Sequence, residues 1–312
     1  MTSQALVTIV IGTFNRARLL RGTIESIRAH VKVDYRIEVS DAGSTDDTAG
    51  YLQSAAGPDL HVTFEGRKRG QAVALNEIFA MVETPYVCWL SDDNVLIGNG
   101  LDIALKALEA DPTLGMVGLK VRDLEGPFVA HPYIGGISPV GILNINQGVL
   151  PTALLKKLGG FSEVFGNYGI DPDLTTQVLV SGASVAMTRA VALHHHRGWD
   201  QYAPDDPAHP LAQSARFLDL YRRKYLRHFG NSRVWWARRA LWWLARRLMP
   251  EKLSLVSHRP VFGLLARDWH NMFSGRFISP LREFRMREAD IHLRQTCPRR
   301  FHSAKPLPDP GP

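Results

Sequence analysis

Cysteine is scarce: only Cys88 and Cys297 occur in 312 residues. That excludes a disulfide framework and points to a reducing compartment. Neither Cys-x-x-Cys nor His-x-x-x-His spacing is present, so no zinc motif is expected. There is no uninterrupted apolar run of about 18 residues, so no bilayer-spanning helix is expected. The opening MTSQALVTIVIGTFNR lacks the basic start and cleavage site of a secretory leader, and a cytoplasmic protein is the expectation. GxGxxG and GxxxxGK[ST] are both missing, which removes the usual glycine-rich signatures of hydride and phosphoryl transfer. No internal repeat is visible.

What is present is a hydrophobic fraction of 45%, enough for a substantial core, and a strongly uneven charge. Residues 211–312 hold 21 Lys and Arg against 7 Asp and Glu, while 1–210 hold 16 against 23. An acidic body and a basic tail meet different partners.

The first 120 residues alternate strand and helix patterns. Strands are expected at Leu6–Gly12, Tyr35–Val39, His61–Phe64, Pro85–Leu90 and Met116–Val121. Helices are expected at 17–30, where Leu20, Ile24 and Ile27 recur at helical spacing, then from a Ser44 or Thr45 cap to about 55, and at 70–82 and 100–110. Further on, helices at 152–158 and about 172–181 precede a strand Ser184–Leu193, with loops and short strands over 123–150. This order predicts an α/β fold, a mostly parallel sheet with helices on both faces, whose ligands sit beyond the carboxyl ends of the strands. Three polar clusters fall at such ends: Gly12–Asn15, Ser40–Ser44 and Ser91–Asn94.

Asp92 and Asp93 follow an apolar strand, and two adjacent carboxylates need a cation to stay ionised together. A Mg²⁺ or Mn²⁺ ion shared with Asp41 would neutralise them and grip diphosphate oxygens; ordinary loop acids or helix caps are the alternative. The run His194-His195-His196 offers one or two further metal ligands, because alternate side chains of an extended segment point the same way; surface histidines on a polar loop are the alternative. Arg197 is placed to neutralise a leaving diphosphate and Trp199 to stack on a sugar.

VTIVIGTFNRARLLRGTIESI (7–27), EVSDAGSTDDT (38–48), the Gly70–Asn76 segment of RGQAVALN, WLSDDN (89–94) and LGGFSEVFGNYGIDPDL (158–174) resemble, in order and spacing, the family 2 glycosyltransferases with a GT-A fold. The resemblance runs over roughly residues 5–200. It implies an inverting, metal-assisted enzyme that moves a sugar from a nucleotide-diphospho-sugar to a hydroxyl of a glycan or lipid-linked acceptor. It assigns nucleotide-sugar contacts to Gly12, Thr13, Asn15, Asp41, Arg69 and Asp92. The metal falls to Asp93 with His195, and His194 is a secondary candidate. Asp171 takes the place of the base that deprotonates the acceptor, with Asp173 nearby. The family's usual Glu-Asp-x-Asp-Leu reads Ile170-Asp171-Pro172-Asp173-Leu174 here, a departure at the first position and a stiffened turn. Helix capping is the plainer role for both Asp171 and Asp173.

Residues 1–210 are therefore expected to form the catalytic domain, 211–302 a basic helical extension, and 303–312 a disordered Pro-rich tail. On a helical wheel of SRVWWARRALWWLARRL (232–248), Val234, Ala237, Ala240, Leu241, Leu244 and Leu248 are read on one side. Arg238, Arg239, Arg246 and Arg247 are read opposite them, with Trp235, Trp236, Trp242 and Trp243 sharing or bordering the Arg side. The expected contact is peripheral, with an anionic membrane at the inner face of the cell membrane; a helix packed into the domain with Arg on Trp is the alternative. No nucleic-acid partner is expected. A weakened glycan- or nucleotide-binding protein and a nucleotidyltransferase on a similar scaffold are the rival functions.

Overall fold

Val7–Thr13 forms the first strand, β1, and six of its seven residues are buried. A β-branched run hidden on both faces suits the middle of a parallel sheet. In the computed structural model, which describes residues 5–125, 132–133, 145–196, 217, 220, 221, 223–225 and 291–295, β1 takes that place. Helix α1 (Ala17–His30) leads to β2 (Tyr35–Asp41), α2 (Thr48–Ala55), β3 (Leu60–Phe64), α3 (Gln71–Met81) and β4 (Tyr86–Ser91). There follow β5 (Asn94–Leu96), α4 (Gly100–Ala110), β6 (Leu114–Asp123), β7 (Pro132–Tyr133), β8 (Gly148–Pro151) and α5 (Thr152–Leu158). A single 3-10 turn (Glu163–Phe165), α6 (Ile170–Val180), β9 (Ser184–His195) and β10 (Ile291–Gln295) complete the described elements.

The sheet order is β10-β9-β6-β8-β4-β1-β2-β3. Strands β3, β2, β1 and β4 run parallel, and β6 runs parallel to β9; β8 is wedged antiparallel between β4 and β6. Register sets the site: Thr13 stands opposite Asp41, and Gly12 opposite both Ser40 and Ser91. The three polar clusters therefore leave the sheet side by side.

Alternation along the strands builds a core on each face. Val7, Ile9 and Ile11 of β1, with Cys88 and Leu90 of β4, meet Leu20, Ile24 and Ile27 of α1 and Leu101 and Leu105 of α4. Val10, Val87 and Trp89 point the other way, into Leu75 and Phe79 of α3, Leu155 of α5 and Leu174 and Val178 of α6. Each fully buried Leu or Ile stabilises the fold by roughly 1.5–3 kcal/mol. Tyr221 and Tyr225 join this second core, and β10 joins the sheet, so residues beyond the expected boundary at 210 contribute to the same unit.

Most expected elements are found within a residue or two of their predicted ends. Three differences bear on function. β2 continues through Ser40 and Asp41, so the acid ends a strand instead of starting a loop. β9 continues to His195, so two of the three histidines are in the sheet. Neither Ser44 nor Thr45 caps α2; Asp46 accepts the Thr48 N–H at 3.0 Å instead. Among the described residues no helix is long and apolar enough to cross a membrane.

Candidate active site

The cation beside the acid pair is Arg16, the residue just before α1. Its Nη1 donates to Asp92 Oδ1 at 3.0 Å and to Asp93 Oδ2 at 2.8 Å. The Thr13 hydroxyl donates to the other Asp92 oxygen at 2.8 Å, which ties the tip of β1 to the tip of β4. Both acids are buried, at 5% and 6% exposure, so their charges depend on these partners. Burial raises the Asp92 pKa, with Asp93 adding to the effect and Arg16 opposing it. Burial also works against the Asp93 charge, but His195 and Arg16 outweigh it and hold Asp93 below the usual carboxylate range.

His195 reaches the pair through β5. Asn94 of β5 stands opposite His195 of β9 in an antiparallel ladder, and the His196 N–H donates to the Asp93 carbonyl at 2.9 Å. The imidazole lies between two acids: Nδ1 is 2.8 Å from Asp123 Oδ1 and Nε2 is 3.4 Å from Asp93 Oδ1. Burial disfavours the imidazolium, yet hydrogen bonds to Asp123 and Asp93 prevail and lift its pKa to about 9. His194, one residue earlier in the strand, faces the opposite side of the sheet.

These donors suit a hard divalent ion. With Nδ1 engaged by Asp123, Nε2 is the nitrogen presented towards Asp93, the arrangement by which a carboxylate fixes a metal-binding histidine. Asn94 Oδ1, fully buried, has no partner among the described residues, although its amide donates to Asp93 Oδ1 at 3.1 Å. Oxygen and imidazole donors match Mg²⁺ or Mn²⁺. Among the described residues no group of three or more His, Cys, Asp or Glu is placed to hold a metal ion by itself. An ion here would share its coordination with substrate oxygens, as magnesium usually does.

Asp41 keeps its own company. Its Oδ1 accepts from the Ser44 hydroxyl at 2.5 Å, and both oxygens are within 3.3 Å of the Ser44 N–H. Asn15, in the left-handed region at φ 53°, accepts the Thr45 N–H at 2.7 Å and donates its own N–H to Ser44 Oγ at 2.8 Å. Asparagine tolerates that conformation better than most residues. Gly43 is required beside it: φ is +80° and a Cβ would lie 2.6 Å from the Gly66 carbonyl carbon. Asp41 and the acid pair thus flank Thr13 without touching each other. Arg69 is shared between Glu65 and Glu77, with two bonds to Glu77 at 2.6 and 2.7 Å.

The second half of the site is the loop before α6. The Gln71 N–H donates to Asn167 Oδ1 at 2.8 Å and the Ala72 N–H to the Gly166 carbonyl at 3.0 Å, so the loop is fastened to the start of α3. Gln71 in turn packs against Gly12. Asp171 follows in the first turn of α6, half-buried and without a side-chain partner among the described residues. Burial pushes its pKa up to about 7. Ile170, where the family pattern has Glu, is in the core at 3% exposure, and Pro172 sits in the first turn, where its missing N–H costs little.

Asp173 neither caps the helix nor faces solvent. It accepts from Tyr225 Oη at 2.5 Å and from Lys224 Nζ at 2.8 Å, in surroundings that leave Lys224 only 1% exposed. A cavity of about 340 Å³, lined by residues including Asn76, Gly160, Glu163, Asp173, Gln177 and Lys224, adjoins that pair and contains none of the strand-end acids.

Arg16, Asp123 and Ser44 carry the site yet were not singled out as site residues from sequence. Asp123 ends a strand as Asp41 does, but the strand expected there stops at Val121. Arg197, Trp199 and the 232–248 helix lie outside the described residues.

Residues 8–153 match the family described as glycosyl transferase family 2. Chondroitin synthase and hyaluronan synthase of Pasteurella multocida are each 26% identical over 131 residues, 41% of this chain but only 14% of theirs. An uncharacterised glycosyltransferase, alr2836, of Nostoc sp. is 28% identical over 114 residues, 36% of this chain and 35% of that protein. The chain thus spans well under half the length of the curated relatives it matches. Among solved structures, the mannosyltransferase PcManGT from Pyrobaculum calidifontis, in complex with GDP-Man and Mn²⁺, is 19% identical with a TM-score of 0.50, covering 88% of this chain and 86% of that one. S. aureus TarS 1-349 in complex with UDP is 14% identical with a TM-score of 0.52, covering 88% and 93%. These likenesses are of fold, the GT-A arrangement of a mostly parallel sheet with helices. Residues 8–153 are thus similar to glycosyl transferase family 2, on a fold shared with these solved structures.

Proposed function

We propose that the protein transfers a sugar, with inversion, from a nucleotide-diphospho-sugar to a hydroxyl of a glycan or lipid-linked acceptor, assisted by Mn²⁺ or Mg²⁺. The observation that carries this reading is the meeting of Thr13, Asp92, Asp93 and His195 at one edge of the sheet, through contacts of 2.8 to 3.4 Å. Two relatives are named as polysaccharide synthases, and two fold neighbours were solved with GDP-Man or UDP, which supports a nucleotide-sugar donor and a glycan product.

In this reading the loops after β1 and β2, with Gly12, Thr13, Asn15 and Asp41, receive the nucleotide. Ser44 and Asn15 hold those loops at a fixed spacing before the donor arrives. Asp92, anchored by Thr13, faces the donor, while Asp93 and His195 hold the metal, with Asp123 orienting the imidazole. When bound, a divalent ion supplies positive charge that offsets the leaving diphosphate. Arg69 is already claimed by two glutamates, so its part is to brace the loop entering α3; a phosphate would have to compete with both acids.

Asp171 is the base. The acceptor oxygen attacks the anomeric carbon as the bond to the diphosphate oxygen breaks, and the acceptor proton passes to the Asp171 carboxylate. Inversion follows from that single displacement. With a pKa near 7, Asp171 is ionised at mildly alkaline pH and basic enough to take the proton. Asp173, locked by Lys224 and Tyr225, keeps the first turn of α6 in place. Contact between the 232–248 segment and an anionic membrane remains part of the proposal through its sequence alone.

A thermal-shift screen of sugar nucleotides with and without Mn²⁺ tests the donor half, because a ligand bound only by the native state raises the melting point. The expected result is a Mn²⁺-dependent shift with one class of sugar nucleotide that Asp93→Ala abolishes. An equal shift in wild type and Asp93→Ala would overturn the metal assignment.

A further inference from the structure

All four carboxylate oxygens of the acid pair already have donors. Asp92 accepts from Thr13 and Arg16; Asp93 accepts from Arg16 on one oxygen and faces Asn94 and His195 on the other. An ion entering here competes with these donors for carboxylate lone pairs, and any donor that carries a positive charge opposes it. Thr13 and Asn94 are buried at 5% and 1% exposure, on strands fixed by their ladders. His195 is pinned from behind by Asp123. Arg16 has the longest side chain of these donors and, at 24% exposure, is slightly more open than His195 at 21%; it stands just before a helix and not within a ladder. Its guanidinium is permanently charged and repels a divalent cation.

We propose that Arg16 is a built-in counter-cation: it neutralises Asp92 and Asp93 while no divalent ion is present and gives up Asp93 when one binds. The proposal rests on the reading of Asp93 as a metal ligand. Asp92 and Asp93 both face the permanently charged Arg16, within 3.0 Å. The metal-free fold is thereby spared two unpaired buried carboxylates. The consequence is that Arg16 lowers the affinity for the ion that the acids attract. Removing it has two opposite effects, a weaker metal-free fold and a tighter metal site. A residue that merely supported the fold would weaken both.

The experiment uses the full chain stripped with EDTA and titrated with Mn²⁺ alone, free Mn²⁺ being read by electron paramagnetic resonance. Arg16→Gln is expected to bind Mn²⁺ about tenfold more tightly than wild type, the scale of a lost charge repulsion at this range. Arg16→Lys, which keeps a charge and covers the case in which the glutamine variant folds poorly, is expected in between. In EDTA Arg16→Gln should melt below wild type, and Mn²⁺ should raise its melting point by more. Equal or weaker Mn²⁺ binding by Arg16→Gln and Arg16→Lys, with binding lost in Asp93→Ala, would overturn the role of Arg16 and leave the metal site standing. Mn²⁺ binding by Asp93→Ala as strong as in wild type would overturn the metal site and the proposal with it.

Discussion

The two halves of the site treat their carboxylates in opposite ways. At the strand ends every acid has a partner: Asp41 with Ser44, Asp92 with Thr13 and Arg16, Asp93 with Arg16, Asn94 and His195, and Asp123 with His195. At the start of α6, Asp173 is locked by Lys224 and Tyr225, whereas Asp171, two residues away, has no side-chain partner among the described residues. Partners hold a carboxylate still and, at Asp93, keep it charged, which suits binding a cation and a diphosphate, although at Asp92 burial still lifts the pKa to about 6. Their absence, with partial burial, raises the proton affinity, which suits a base. The same side chain is thus tuned to hold or to react by what surrounds it.

Three substitutions sharpen or break this contrast. Asp171→Asn keeps the shape and removes the base, so turnover should fall by about 10²–10⁴-fold while donor-induced thermal shifts stay unchanged. The same variant should melt slightly higher than wild type at pH 8. A carboxyl whose folded pKa is raised favours folding only while protonated, and that contribution is lost as pH climbs through about 7. Next comes Asp173→Ala, which removes the carboxylate 2.8 Å from the buried Lys224 ammonium and should cost roughly 3–5 kcal/mol of stability in urea denaturation. A loss of turnover without a loss of stability would instead make Asp173 part of the chemistry. The smallest effect belongs to Asp123→Asn, which unfastens His195 and should weaken Mn²⁺ binding by about 10- to 100-fold. Unchanged binding would mean that His195 needs no such brace.

Much of this was legible in the sequence, and what was hidden has a physical reason. Apolar runs ending in Gly12-Thr13, Ser40-Asp41 and Ser91-Asp92-Asp93 marked the sheet and its ligand edge, because buried strands and polar tips are local features. The β5 strand, only three residues long, gives no periodic signal, yet it carries Asp93 to His195. Asp123 was missed because a buried acid two residues past an apolar run reads as the next loop. Arg16 was visible beside Asn15, but its pairing with acids 76 and 77 residues away depends on the register of β1 with β4. The Asp173–Lys224 pair joins residues far apart in the chain, and no local pattern announces it. Gly160, in contrast, was readable in part: the helix expected at 152–158 stops just before Gly159-Gly160. The reason for the second glycine is a contact, since at φ +75° a Cβ there would fall 2.3 Å from Asn76 Oδ1.

The most direct test of the central claim, that Asp171, with no side-chain partner among the described residues, takes the acceptor proton, is the pH dependence of sugar transfer at saturating donor and Mn²⁺. The rate should rise about tenfold per pH unit up to about 7 and then level off, with that limb missing from the residual activity of Asp171→Asn. A rate that stays flat from pH 8 down to about 5, or a limb that survives in Asp171→Asn, would contradict it.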